Sequence, residues 1–110
     1  MATIALTTDA ASGVVTWAGL AAGDDGQVLV VNNRSLVLSA VQAFGSFGGT
    51  VSLQVSLDGT NWATLRDTRG NLCDFAAATL VELSSAARFI RPVAGAGVAA
   101  TTVRLALGGA

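Results

Sequence analysis

Carboxylates are the side chains of this sequence that could support acid–base chemistry, because the chain contains no His, Lys or Tyr. Without His there is no Ser–His or Cys–His nucleophile and no His-containing metal site, and without Lys there is no amine nucleophile. The carboxylates are Asp9, Asp24, Asp25, Asp58, Asp67, Asp74 and Glu82. Nearly all fall in predicted turns, where Asp hydrogen-bonds nearby backbone amides, so we predict no catalytic residue, no cofactor and no enzymatic activity.

Two further patterns bear on metal and thiol chemistry. Asp24-Asp25-Gly26 could contribute to a calcium site, since hard cations bind clustered oxygens. No spaced acids follow that would complete the coordination, so we favour a turn and predict no metal site. Cys73 has no base nearby in the sequence and is predicted to be a small buried apolar residue. A single Cys forms no internal disulfide, which fits synthesis in a reducing compartment.

The elements that position these residues are predicted to be β-strands, and the clearest lies in residues 47–62, FGGTVSLQVSLDGTNW. Apolar residues at 51, 53, 55 and 57 alternate with polar residues at 52, 54 and 56, which is the period of a strand with one buried face. Asp-Gly at 58–59 is a hairpin signal, because glycine reaches positive φ at low cost. We assign the hairpin end to Asp58, Gly59, Asn61 and Trp62, with the two polar side chains satisfying turn amides and the indole covering the hairpin.

Short strand-like segments recur at roughly 8–12-residue spacing with turn residues between them. This spacing predicts an all-β, antiparallel two-sheet β-sandwich of about eight strands, organised as a jelly roll, with an immunoglobulin-like topology as the alternative. We expect one domain over 1–110, with 1–11 as a first strand or an N-terminal arm and 108–110 as a frayed tail. The apolar run at 28–31, in which three of four residues are Val, is predicted as a buried central strand.

The composition is apolar, with 52% hydrophobic and only 12% charged residues. The longest stretch without a charge, 35–57, contains too many polar residues and glycines for a membrane-spanning helix, so we expect no membrane partner. A net charge of −1 creates no field that attracts nucleic acid. Few charges are left for the surface, which favours contact with other chains over the alternative of harmlessly scattered small residues. Candidate interface residues are Ile4, Leu6, Trp17, Phe44 and Phe47.

Several residues leave alternatives open. Trp17 or Trp62 could form a stacking platform for a sugar, although packing in the core or over the hairpin is the favoured interpretation. Arg91 has the parity of the residues expected to face the core in the strand 88–93, so either it lies at the open end of the sandwich or a bulge turns it outward. We favour the first and predict a buried or interface charge there. Pro92 cannot donate to a β-ladder, which predicts that its strand lies at a sheet edge or ends there.

Three segments resemble small β-sandwich proteins of tailed bacteriophages: residues 47–62, RFIRPV at 88–93 and the closing TTVRLAL at 101–107. The likeness covers about half of the chain, from residue 45 onward. Small jelly-roll proteins of this kind are often capsid decoration or cement proteins, which sit as trimers on the head and brace the major capsid lattice. The resemblance therefore implies a homotrimer on the capsid surface of a virion, made in the host cytoplasm, with itself and the major capsid protein as partners.

Related sandwiches also occur in tails and fibres. A glycan-binding or adhesin module of a tail or fibre is therefore the alternative function, and a tail-tube or connector protein is a third. The N-terminal part, residues 1–33, carries no part of the resemblance.

Overall fold

The computed structural model describes residues 3–9, 13–31 and 36–109, and within these ranges the chain forms strands, turns and bends. The strands build two sheets that pack against each other, so the predicted all-β sandwich is confirmed, although the described residues form twelve strands and not about eight. No described segment forms a helix that could cross a bilayer. The strands are β1 (Thr3–Ile4), β2 (Leu6–Asp9), β3 (Val14–Leu20), β4 (Asp25–Gly26), β5 (Leu29–Val30), β6 (Leu36–Ser46), β7 (Val51–Ser56), β8 (Ala63–Thr64), β9 (Asp74–Phe75), β10 (Thr79–Ser85), β11 (Phe89–Ala94) and β12 (Ala100–Gly109).

The five-stranded sheet is built mainly from long strands. Its order is β10-β6-β12-β3-β2, and every pair is antiparallel. The central strand β12 is fixed by alternation, since Val103 and Leu105 are fully buried while Arg104 between them is exposed. A register shift between Ala106 and Leu107 marks a β-bulge against β6.

The seven-stranded sheet is assembled from shorter pieces. Its main order is β1-β4-β11-β7-β8, and in addition β5 pairs with β11 and β9 pairs with β7. Both β4 and β5 therefore lie along one side of β11. β5 is opposite Phe89 and Ile90, and β4 is opposite Val93.

Pro92 lies at the gap between these two pieces. In the pairing of β11 with β7 it is opposite Leu53. Leu53 donates to the Cys73 carbonyl and accepts from the Leu65 amide, so its polar groups point away from β11. The nitrogen of Pro92 then points to the other side of β11, where the pairing with β5 has ended at Ile90 and Gly26, the last residue of β4, lies against the proline ring. The prediction that Pro92 marks an edge strand or a strand end is therefore wrong, because an interior strand accommodates it at a break in its neighbour.

The core lies between the two sheets and includes one tryptophan and one phenylalanine, Trp17 and Phe75. Trp17 is fully buried, and its Nε1 donates to the Gln27 carbonyl at 2.9 Å, which satisfies the indole N–H away from water. Burying one large aliphatic side chain contributes roughly 1.5–3 kcal/mol, so these contacts dominate the stability of the sandwich. The largest fully buried residues include Trp17, Leu20, Leu38, Leu53, Ile90 and Leu105.

Several predicted boundaries differ from the structure. Residues 3–9 are not one strand or an arm: β1 pairs with β4 and β2 pairs with β3, so the chain changes sheet at Ala5. The run 28–31 is reduced to β5, where Val30 is 46% exposed, because only two residues reach β11. Gly108 and Gly109 do not fray but continue β12 beside the start of β6. Residues 1, 2, 10, 11 and 110 of the predicted arm and tail lie outside the described residues.

Candidate functional site

A stacked trio of side chains lies on the outer face of the seven-stranded sheet. The guanidinium carbon of Arg91 is 4.3 Å from the centroid of the Trp62 ring. Its Nε donates to Oε1 of Gln54 at 3.0 Å, and Gln54 is directly opposite Arg91 in the β7–β11 pairing. All three residues are partly buried. We call this trio the Arg91 stack; it combines a cation–π contact with a charge-assisted hydrogen bond.

The side on which Arg91 lies is a correction to the sequence analysis. Ile90, Pro92 and Ala94 are buried, whereas Arg91 lies on the outer face. The β7–β11 pairing shows no register shift, so no bulge turns the side chain. A buried charge at the open end of the sandwich is therefore wrong, because the Pro92 ring takes the inward position, against Gly26. The interface role of Arg91 stays a prediction.

Asp58 organises the turn between β7 and β8. Its Oδ1 accepts from the backbone N–H groups of Thr60 and Asn61, each at 2.8 Å, and from the Ser56 hydroxyl at 2.8 Å. Its Oδ2 accepts from Nδ2 of Asn61 at 2.7 Å. These donors, the Asn61 and Thr60 amides first, hold the pKa of Asp58 well below its ordinary value of 3.8. Asp58 thus satisfies turn amides as predicted, whereas Asn61 donates to Asp58 and accepts none of them.

The predicted glycine and tryptophan of this hairpin have separate roles. Gly59 has φ 78°, a conformation that glycine adopts at little cost. A side chain there would contact the Phe89 ring at 3.6 Å. Trp62 precedes β8 and places its ring against Arg91 of β11, so the turn also positions one wall of the Arg91 stack.

The outer face of the five-stranded sheet carries a shallow hollow of about 250 Å³. Its floor is small and apolar, because Ala40 on β6, Ala106 on β12 and Val14 on β3 are directly opposite one another. Leu80 on the edge strand β10 forms part of its rim and is 65% exposed. We call this surface the sheet hollow, and its lining residues are Val14, Ala40, Gln42, Leu80, Arg104 and Ala106.

A second arginine–aromatic pair lies beside the sheet hollow in a looser form. The Arg104 guanidinium carbon is 5.1 Å from the Phe44 centroid. Arg104 is exposed, and its side chain makes no hydrogen bond to another described residue. Glu82 is exposed on β10, opposite Ala40. Charges of both signs therefore flank an apolar centre.

Two other acidic side chains, Asp24 and Asp67, accept hydrogen bonds from backbone amides. Oδ2 of Asp24 accepts from the Ala21 amide at 3.0 Å. Oδ1 of Asp67 accepts from the Arg69 amide at 2.9 Å and the Asn71 amide at 3.0 Å. Both are turn roles of the kind predicted for Asp. No group of three or more Cys, Asp or Glu side chains that could hold a metal ion occurs among the described residues.

Cys73 is a buried free cysteine with an unreactive thiol. It is 1% exposed, as expected for a small apolar residue. Burial, with the charges of Asp67 and Asp74, raises the pKa of the Cys73 thiol to about 11. The group is therefore protonated at neutral pH and is a poor nucleophile.

The predicted interface residues separate into three groups. Trp17 is wrong both as an interface residue and as a sugar platform, because β3 alternation turns it into the core beside Val15. Ile4, Leu6 and Phe47 are partly buried and pack against the core. Phe44 is partly buried beside Arg104. An interface role for the exposed parts of these four residues stays a prediction.

The sequence analysis did not single out the residues of the sheet hollow or Gln54. Alternation in 79–85 and 100–109 indicates which of these residues share a face, but only the strand order shows that the faces join. Comparison of the chain with protein-family models, curated proteins and solved structures gives no match. The fold and the two surfaces thus define the class, an all-β sandwich with two contrasting outer faces.

Proposed function

We propose that the chain is a structural protein of a bacteriophage virion, a capsid decoration protein that self-associates and braces the capsid lattice without catalysis. The observation that carries the proposal is the sheet hollow, an apolar surface of small residues with Leu80 exposed at its rim. Contiguous apolar surface on a chain with so few charges favours burial against protein. The resemblance of residues 47–62 and 88–93 to phage β-sandwich proteins supplies the context.

The strand order supports the finer topology, a jelly roll. The final strand β12 lies between β3 and β6, and β11 lies between β7 and the β4/β5 pieces. From β6 onward the long strands β6, β7, β10, β11 and β12 alternate between the two sheets, which is the arrangement that interlocked Greek keys produce. The resemblance implies that small jelly-roll proteins often decorate capsids.

In this proposal the sheet hollow is buried between copies. Leu80 of one copy covers the alanine floor of the next, and Arg104 meets Glu82 across the contact. Head-to-tail contacts of this kind close into a ring when the rotation permits, which gives the expected trimer. The trimer binds the assembled capsid and not its free subunits, so that mass action opposes disassembly.

The experiment compares Ala106→Arg with Ala22→Arg. Ala106 is in the floor of the hollow, whereas Ala22 is exposed in a turn and does not line the hollow. We expect wild type and A22R to form trimers by sedimentation equilibrium and to co-sediment with heads of the encoding phage. A106R should remain monomeric and bind heads at least tenfold more weakly, with the circular dichroism spectrum of the folded wild type. Wild-type protein that stays monomeric at high concentration and does not bind heads would overturn the proposal, and a ring of more copies by electron microscopy would favour the tail-tube alternative.

A glycan-binding tail or fibre module is the second candidate, because Trp62 is partly exposed beside the polar groups of Gln54 and Arg91. Trp17 is fully buried, so ligand-dependent fluorescence would report on Trp62. A saturable change with one member of a glycan panel would support this function. An unchanged signal across the panel would exclude it.

A further inference from the structure

We propose that the Arg91 stack is a binding site for a carboxylate of a partner protein, an Asp or Glu side chain presented to the outer face of the seven-stranded sheet. This goes beyond the proposed function, because it concerns the opposite face from the sheet hollow. It also does not depend on the partner being a capsid.

The first argument is the set of donors that the chain leaves unused. An arginine guanidinium has five N–H donors in a planar fork. Nε of Arg91 donates to Gln54, and among the described residues no other hydrogen bond or ion pair involves this side chain. No buried side-chain nitrogen or oxygen in the described chain lacks a partner, so the Nη groups reach solvent. They are available to an external acceptor.

The second argument is orientation. The Trp62 ring supports one face of the guanidinium at 4.3 Å, and the Gln54 hydrogen bond at 3.0 Å fixes its rotation. Two parallel N–H bonds from such a fork match the geometry of a carboxylate. Because the side chain is already ordered, binding loses less conformational entropy than it would at a mobile arginine.

The surroundings favour a protein partner. Phe89 and Val30 are directly opposite each other on the same outer face, and Val30 is 46% exposed. Trp, Arg and Phe beside exposed apolar area is the composition of protein interfaces. Arg91 itself covers one face of the Trp62 ring, so the stack does not offer that face to a sugar.

The charge around the site favours one carboxylate over an extended polyanion. Asp74 accepts from the Ser52 hydroxyl at 2.6 Å, and Ser52 lies two residues before Gln54 in β7. The net charge of the chain is −1. An isolated cation in such a setting complements a single acidic side chain, whereas nucleic acid binding requires a basic surface.

The experiment titrates ¹⁵N-labelled protein with blocked tetraglutamate and follows the Trp62 indole and arginine Nε resonances. We expect saturable shifts at Trp62 and Arg91, and none with blocked tetraglutamine. Arg91→Gln should abolish binding. Arg91→Lys, which keeps the charge but not the fork, should weaken it at least tenfold. Arg69→Gln is the matched control, since Arg69 is an exposed arginine outside both the Arg91 stack and the sheet hollow, and should leave the affinity unchanged.

Three outcomes would overturn the inference. These are no saturable shift in the wild type, binding that survives in R91Q, and binding of tetragalacturonate without binding of tetraglutamate, which would assign the site to an acidic glycan. If R91Q does not fold, Gln54→Ala provides the test, because it releases the guanidinium and should weaken peptide binding at least threefold. Loss of the trimer in A106R leaves these expected results unchanged, so failure of the proposed function can be told from failure of this site.

Discussion

The two sheets of this sandwich differ in how their outer side chains are used. The five-stranded sheet consists mainly of long antiparallel strands, and its outer face carries the sheet hollow. The seven-stranded sheet is built from pieces, and its outward side chains bind one another, as in the Ser52–Asp74 and Arg91–Gln54 hydrogen bonds. The five-stranded sheet thus presents an apolar surface, whereas the seven-stranded sheet, which we call the interrupted sheet, presents side chains held by hydrogen bonds to one another.

The two arginine–aromatic pairs show the same difference at the scale of single residues. Arg91 is fixed by an aromatic ring and by a hydrogen bond to another strand. Arg104 has the Phe44 ring at 5.1 Å and no hydrogen bond from its side chain to a described residue. Similar residue types thus produce one oriented guanidinium and one adaptable guanidinium. We assign carboxylate binding to the first and a rim position in self-association to the second.

The largest effect is expected from Gly26→Ala, which tests how tightly the interrupted sheet is fitted. A Cβ on Gly26 would lie 2.3 Å from Cδ of Pro92 and 2.7 Å from Cδ1 of Trp17. Neither ring can move without disturbing the core, so G26A should lower the free energy of unfolding by about 3 kcal/mol, the upper part of the range for overpacking. Urea unfolding measures this directly.

Pro92→Ala provides the control for that substitution. Removing the ring should cost less by itself and should relieve part of the clash, so that G26A/P92A is more stable than the sum of the single effects predicts. Strict additivity would mean that Gly26 and Pro92 are not in contact. Side chains of the seven-stranded sheet would then be packed no more tightly than those of the five-stranded sheet.

Local patterns predicted much of the fold. The alternation at 51–57 depends on neighbours in sequence and a strand forms there, but its last two residues depart from the pattern, since Ser56 is buried and Leu57 is 76% exposed. The side of Arg91 was not predictable in this way, because apolar residues occur at both parities of β11. The Pro92 ring lies against Gly26 on the inner face, and Gly26 is far from it in sequence.

The same distinction between contacts that are local in sequence and contacts between distant strands applies to the candidate sites. The Asp58 turn was predictable, since its donors all lie within three residues of Asp58. The Arg91 stack and the sheet hollow join side chains from strands that are distant in the chain. Their assembly requires the strand order, and alternation alone does not determine which strands are neighbours.

A smaller effect is expected from breaking the two arginine–aromatic pairs. A double-mutant cycle of Trp62→Ala with Arg91→Gln should give a coupling of about 1 kcal/mol, the range for partly exposed cation–π contacts. The matched cycle of Phe44→Ala with Arg104→Gln should give less than about 0.3 kcal/mol, because the longer contact lacks a second anchor. Urea unfolding of the wild type and the variants of both cycles supplies the two values. Equal couplings would remove the distinction between an oriented and an adaptable arginine.

The smallest effect is expected from Asp58→Asn and is a change in pH dependence. The folded-state pKa of Asp58 is lowered from 3.8 by its backbone and side-chain donors. The carboxylate therefore adds stability that is fully present above pH 3.8 and is lost as the pH falls below it toward the folded pKa. The difference in melting temperature between wild type and D58N should accordingly be constant near neutral pH and shrink in acid.

Glu82→Gln is the control, because it removes one negative charge from the five-stranded sheet where the side chain has no described hydrogen-bond partner. It separates the loss of the Asp58 hydrogen bonds from a general change in net charge. A D58N difference that grows in acid would contradict the prediction, since it would mean that the folded state favours the protonated carboxyl. A difference matched by E82Q would mean that the turn network adds nothing beyond charge, and the interrupted sheet would then lose one of the positioned groups that distinguish it.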